Sequence, residues 1–336
     1  MGLAPWVWSQ ALITEVYALA TLLGSLVVFA TAWASTRGGW TWALVGLCLG
    51  LAVSTHVTLV FLLPYVWLAG RPHRWLLALG VLAGLVPYAL LPLFGPWPQP
   101  WGDASTWQGW LEFVSGRIYW GNAFSLPLAN WPLRLAAWVS LSSRQFTPVG
   151  MVLVIAGAVK QWTEGHSRVR GALAAWLLVS LYAIGYNSAD SWVYLVAFVP
   201  LLASFLVDGL EWLGENRVAP AWGMLLPVAL FMLNLREMSL ARDREALLWL
   251  ERVATEAPRG AVVLSREDRH TFALWYAVEG ARLRPDLLVV DERLWGYAPY
   301  DTFLQEHEGR RVATPEQFAQ GRPLCEVDSE GEMSCE

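Results

Sequence analysis

Charge is what this chain has least of. Only 15% of its 336 residues are charged, against 56% hydrophobic, and the mean hydropathy is +0.40. A soluble domain carries about 25% charged residues, so the deficit argues for lipid as the solvent of much of the chain. Lysine is nearly absent, with Lys160 alone beside 22 arginines. Cysteine is sparse. Cys48 sits in an apolar segment and reads as a small hydrophobe, while Cys325 and Cys335 are a possible pair only if the tail is extracytoplasmic. Five scattered histidines form no metal-ligand spacing, and no Gly-rich phosphate loop or G-x-S-x-G elbow occurs. The start has no basic segment ahead of its apolar run and does not read as a signal peptide.

Tryptophan, by contrast, is abundant at 22. Its ring suits the headgroup level, where carbon is buried and the N–H stays wet. The charge that exists is uneven. Residues 1–236 hold 11 Lys+Arg and 8 Asp+Glu, whereas 237–336 hold 12 and 20, a net of −8. This pattern implies a transmembrane domain over 1–236, an extracytoplasmic α/β domain over 237–324 and a frayed acidic tail over 325–336. An acidic tail excludes the basic footprint of a nucleic-acid binder.

A membrane helix needs about 20 mostly apolar residues. Such runs predict seven spans, near 9–34, 41–68, 75–94, 146–160, 171–187, 192–210 and 220–236, with 130–145 an interfacial helix leading into the fourth. Seven spans place Arg71, Arg74, Lys160, Arg168, Arg170 and Arg217 on one side and Arg37, Arg117 and Arg134 on the other. The positive-inside rule makes the first side cytoplasmic and the 95–132 loop and the tail outer, as in an integral inner-membrane protein. In the tail, "REALLWLERVATEA" has helical spacing, "AVVLS" and "PDLLVVD" read as strands, the second suited to a parallel, buried position, and 299–307 as a further helix.

Within the spans, Glu15 and His56 are ionisable groups in apolar surroundings, expected to face protein or a polar cavity, with Tyr17 near them. A structural role outweighs direct catalysis for Glu15. The outer loop "WGDASTWQGWLEFVSGRIYWGNAF" mixes Asp103, Glu112 and Arg117 with tryptophans. It suits either an interfacial helix anchored by aromatics or a surface for a sugar or prenyl phosphate, with Arg117 offering a planar donor fork. Asp190 in "GYNSADSWVY" reads equally as a helix cap.

"SQALITEVYALATLL", "GLCLGLAVSTHVTLVFLLP", "WGDASTWQGWLEFVSGRIYWGN" and "APRGAVVLSREDRHTFALWYAVEGARLRPDLLVVDERL", in that order, resemble the membrane family called domain of unknown function 2723. That family is related to the eukaryotic transmembrane protein O-mannosyltransferases. The resemblance covers roughly residues 6–300. It implies an incomplete GT-C-like helical bundle that moves a sugar from a polyprenyl-phosphate donor to an extracytoplasmic acceptor, a protein Ser or Thr hydroxyl being one acceptor class. A carboxylate base would activate the acceptor hydroxyl in a single inverting displacement. The matching positions are Glu15, Tyr17, His56, Asp103 and Arg117 to Tyr119, and in the tail Asp268, Trp275, Tyr276, Arg284 and Asp286. Carrier contacts are expected of Arg117, Tyr119, Asp103, His56 and Glu15, and architectural roles of most tail positions. "REDRH" departs from the family's glycine-containing acidic turn. The family's acidic outer loop precedes the glutamate helix and has no counterpart here, so the chain is expected to lack the N-terminal part and the base, and to be inactive alone. The alternatives are a noncatalytic membrane scaffold, whose outer domain binds a partner, or a lipid-linked-sugar transporter.

Overall fold

A computed structural model describes every residue except 71, 96, 215–218, 309–313, 315–318 and 320. Arg71 and Arg217, assigned above to the cytoplasmic loops, lie outside the described residues. The chain divides into two compact units. One comprises Met1–Leu93 and Val114–Ser239, the other Phe94–Phe113 and Leu240–Glu336. Residues 94–113, read from sequence as loop of the membrane part, thus group with the tail.

The first unit is helical. A short α1 (Pro5–Ala11) precedes α2 (Tyr17–Arg37). The sequence predicts one helix across 9–34, but Leu12–Val16 is non-helical. Three β-branched residues, Ile13, Thr14 and Val16, crowd that stretch, and such side chains lose rotamer freedom in a helix. Glu15 therefore sits exposed in a break, not inside a span. Gly38 closes α2 at φ 65°, a conformation that glycine adopts without strain.

The stretch 41–68, predicted as one span, is a hairpin. α3 (Thr41–Thr55) ends at His56, whose backbone is extended at φ −152°. The His56 ring accepts the Thr58 N–H at 3.4 Å and lies 2.8 Å from the Thr58 hydroxyl. This local bonding competes with helix continuation and turns the chain. A 3-10 segment (Val57–Leu62) then leads into α4 (Leu63–Leu68), with Pro64 in its first turn. The hairpin closes on itself: a side chain at Gly70 would meet the Trp42 ring at 3.1 Å.

α5 (Arg74–Gly84) and α6 (Val86–Leu90) run next to α3. Gly46 and Gly50 on α3 face Gly80 and Gly84 on α5, and an added Cβ at any of the four would approach opposing backbone within 2.1–2.5 Å. Two small-xxx-small stripes let the backbones touch, the packing that lipid-embedded helices use in place of a hydrophobic driving force.

After α7 (Trp107–Val114), most of which belongs to the second unit, come α8 (Trp131–Arg144) and α9 (Thr147–Thr163), bent by 94°. Thr147 lies at φ 63° before Pro148, which disfavours a helical conformation in the residue ahead of it and starts the new helix. At this elbow the buried Gln145 accepts the Trp6 N–H at 3.0 Å and donates to the Leu141 carbonyl at 2.8 Å. α10 (Ser167–Gly185), a 3-10 segment (Ser191–Phe198) running into α11 (Val199–Gly214), and α12 (Ala219–Met238) complete the unit. Its core includes Trp42, Leu59, Leu62, Phe146, Leu195, Phe198 and Leu201.

Among the described residues, four helical stretches are long and apolar enough to cross a membrane: Tyr17–Arg37, Arg74–Leu93, Ser167–Gly185 and Ser191–Gly214. The bent pair α8–α9 makes a fifth if counted as one span. Leucines and valines on these helices stay exposed, including Leu82 at 65% and Val152 at 65%. Outward apolar faces of this kind fit a multi-pass membrane protein. Because α3 and α4 double back, Arg37 lies at the same end of the unit as Leu68, Gly70 and Ser167, with which it lines one shallow cavity. That corrects its assignment to the side opposite Arg74.

The second unit is mixed α/β. α13 (Glu245–Glu256) is followed by β1 (Val262–Ser265), α14 (Asp268–Trp275), β2 (Leu288–Asp291), α15 (Ala298–Glu308), β3 (Leu324–Val327) and β4 (Met333–Cys335). The sheet order is β2-β1-β3-β4, with β1 parallel to both β2 and β3, and β4 antiparallel on the edge. β1 is buried along its whole length, as a central parallel strand should be. Residues 325–336, expected to fray, form β3 and β4, and a disulfide joins Cys325 to Cys335 across them. Pairing with β1 and a covalent link hold a segment too polar to declare itself by periodicity.

Candidate functional site

One end of the helical unit gathers aromatic and polar side chains. Tyr17 opens α2, His56 tips the α3–α4 hairpin, and Tyr194 lies in the 3-10 segment before α11. The His56 ring stands 5.5 Å from Tyr17 on one side and 5.5 Å from Tyr194 on the other. Tyr182 and Tyr186, at the end of α10, lie 5.3 and 5.1 Å from Tyr194 and 5.4 Å from each other. Phe61 and Phe124 pack on Tyr182.

Charge reaches the same place. Tyr17 lies within electrostatic range of Asp190, Glu15, Tyr119 and Tyr186. Asp190 stands at the N-terminal boundary of the 3-10 segment, yet its carboxylate does not cap it; it accepts the Ser188 hydroxyl instead. Arg134 on α8 braces this turn, its Nη1 donating to the Ser188 carbonyl at 2.8 Å and to Ser191 Oγ at 2.7 Å. Ser191 Oγ in turn donates to the Ala183 carbonyl at 2.8 Å. Arg117 is exposed, with its guanidinium 5.9 Å from the Trp120 ring centroid.

Of the five positions expected to touch a carrier, Glu15, His56 and Tyr119 converge around Tyr17, and Arg117 lies two residues from Tyr119. Asp103 belongs to the second unit, where its carboxylate accepts the Ser105 N–H at 2.9 Å in a turn ahead of α7. Sequence reasoning missed Tyr182, Tyr186 and Tyr194. The two tyrosines flanking the turn in "GYNSADSWVY" were the available signal.

In the second unit the charged positions hold the fold. Arg284 donates to the carbonyls of Ala254, Ala257 and Pro258 at 2.8–3.1 Å and forks onto Asp286. Asp286 also accepts the Gly260 N–H at 2.8 Å, and the Arg284 fork with that bond holds its carboxyl well below the ordinary carboxylate range. Asp268 and the buried Asp291 both accept from Arg293, whose guanidinium is raised by them, Asp291 foremost. Trp275 belongs to an aromatic group with Trp101 and Phe272, with centroids 5.4–5.8 Å apart, and the Tyr297 hydroxyl donates to the Trp101 carbonyl at 3.2 Å. Tyr276 is 61% exposed. Among the described residues, no three His, Cys, Asp or Glu side chains gather as a metal site.

No family model matches the chain, and neither a curated protein nor a solved structure does.

Proposed function

We propose that this chain is a membrane glycosyltransferase-type protein that engages a polyprenyl-phosphate-linked sugar and directs the sugar to an extracytoplasmic acceptor, with a protein Ser or Thr hydroxyl as the acceptor class. The observation that carries the reading is the convergence of Glu15, Tyr17, His56, Tyr119, Tyr186, Tyr194 and Asp190 at one end of the helical unit. Aromatic faces stack on the apolar faces of a sugar, while imidazole and phenol groups exchange hydrogen bonds with its hydroxyls. Arg117 supplies a planar fork suited to the carrier phosphate. Glu15 and Asp190 are the carboxylates at the cluster and are suited to accept hydrogen bonds from sugar hydroxyls, while the base for the transfer is expected from the family's acidic outer loop, so transfer by this chain alone is not expected. The resemblance to the family of domain of unknown function 2723, and through it a GT-C-like bundle, belongs to this same reading.

One further fact supports an outward-facing site, and another an extracytoplasmic second unit. Arg37, with Ser167 beside it, lies at the end of the unit away from the tyrosine cluster, which agrees with arginine on the cytoplasmic side. A disulfide between Cys325 and Cys335 belongs to an oxidising compartment. Binding of a polyprenyl-phosphate sugar to the intact protein tests the proposal. Arg117→Ala should weaken it about tenfold, as loss of a charged hydrogen bond does. Unchanged binding would remove Arg117 from the site, and no binding by the unaltered protein would end the proposal.

A further inference from the structure

A second feature lies on the flank of the helical unit, beside the turn that borders the tyrosine cluster. α8, the end of α10 and the 3-10 segment Ser191–Phe198 enclose a groove of about 410 Å³. Leu133, Ala137, Leu141, Ile184, Trp192 and Leu195 make it apolar. Leu133 is 77% exposed, so the groove opens on the same outward apolar surface that fits lipid. Arg134 and Ser191 also line it.

Arg134 is the unusual member. Its hydrogen bonds to Ser188 and Ser191 both leave from Nη1. Among the described residues, no carboxylate forms an ion pair with it. The guanidinium is half-buried at the end of the unit where α8 begins and α10 ends. A cation held at the border of an apolar groove, without a protein counter-ion, is costly in a membrane protein. A phosphate diester would relieve that cost, because a guanidinium binds two of its oxygens at once. The groove beside it has the apolar lining that a hydrocarbon chain needs, and its volume is within the usual range for a small-molecule site.

We propose that this groove binds one anionic phospholipid, with its phosphate on Arg134 and an acyl chain along Leu133, Ala137, Leu141 and Leu195. The assignment stands on the charge complementarity of Arg134 and the apolar groove, and does not depend on the sugar-transfer reading. Its physical consequence is that the lipid completes the brace on the 188–191 turn, since the same guanidinium holds Ser188 and Ser191.

Native mass spectrometry of the full chain in neutral detergent provides the test, with dioleoylphosphatidylglycerol as the probe and dioleoylphosphatidylcholine as the zwitterionic control. The expected result is one phosphatidylglycerol retained in preference to phosphatidylcholine. Arg134→Gln should weaken retention about tenfold, the effect of losing a hydrogen-bonded charge. Ala137→Trp, at an exposed position, should fill the groove and abolish retention while leaving Arg134 on Ser188 and Ser191. Retention unchanged in either variant overturns the proposal. So does equal retention of the two lipids, or displacement of the probe by excess inorganic phosphate, which would show that the groove contributes nothing.

Discussion

At His270 the second unit holds an imidazole that is only 7% exposed, stacked 4.9 Å from Trp249, with Nδ1 buried and unpartnered among the described residues. Burial, helped by Arg269, pushes its pKa below the ordinary 6.5. The fold therefore favours the neutral ring. Its contribution is intact above the unfolded value and is lost as pH falls from there through the folded one. The exchange protection of β1 and β3, corrected for the intrinsic pH dependence of amide exchange, should fall between neutral and mildly acidic pH, and His270→Gln should flatten that dependence; an equally steep profile in the variant would acquit the histidine. Asp286 behaves in the same sense at lower pH, because its folded pKa is depressed by Arg284. Removing the fork is the larger perturbation. Arg284→Ala strips three carbonyls and a carboxylate of their donor, and should destabilise the second unit by about 2–4 kcal/mol, read as a loss of exchange protection in α13 and β2.

Elements here are joined by close backbone approach as much as by side-chain burial. The α3–α5 seam leaves no room for a Cβ: at Gly80 one would lie 2.1 Å from the Ala43 carbonyl oxygen. Gly80→Val should cost at least about 1–3 kcal/mol through overpacking, seen as a lower midpoint of thermal unfolding in detergent. The same change at Gly223, whose nearest neighbour among the described residues is a leucine methyl at 3.9 Å, should be far milder. At the other end of the chain, the Cys325–Cys335 link ties edge strand β4 to β3. Cys335→Ser should lower stability by about 2–3 kcal/mol and expose β4 amides to exchange first. Denatured without reductant, the protein should present one thiol to maleimide, Cys48, and three after reduction.

For the whole molecule, the decisive feature is the hairpin at His56. It makes 41–68 go out and return, so the end of α2 shares a side with the end of α4 and the start of α10. Single cysteines in a Cys48→Ser, Cys325→Ser, Cys335→Ser background read this directly. Thr36→Cys and Glu164→Cys should be labelled from the same side of sealed vesicles, and Ser188→Cys from the other. If Thr36→Cys labels with Ser188→Cys, the region 41–68 is a single crossing and the hairpin is wrong.

Composition and apolar runs by themselves pointed to lipid as the solvent of the first unit, to the helical character of its apolar runs and to the two parallel strands of the tail, because hydrophobicity and periodicity act locally along the chain. They also brought Glu15, Tyr17 and His56 to attention, since polar groups stand out in an apolar context. Only the tertiary structure decided what those residues do. An apolar run carries no mark of where it reverses, and the reversal at His56 rests on a ring bonded to Thr58 and packed between Tyr17 and Tyr194. The glycine seam, the Arg134 brace and the tyrosines of α10 likewise depend on which faces meet across long separations. The last strands were invisible for the same reason: their stability comes from pairing with β1 and from a disulfide, not from any pattern within residues 325–336.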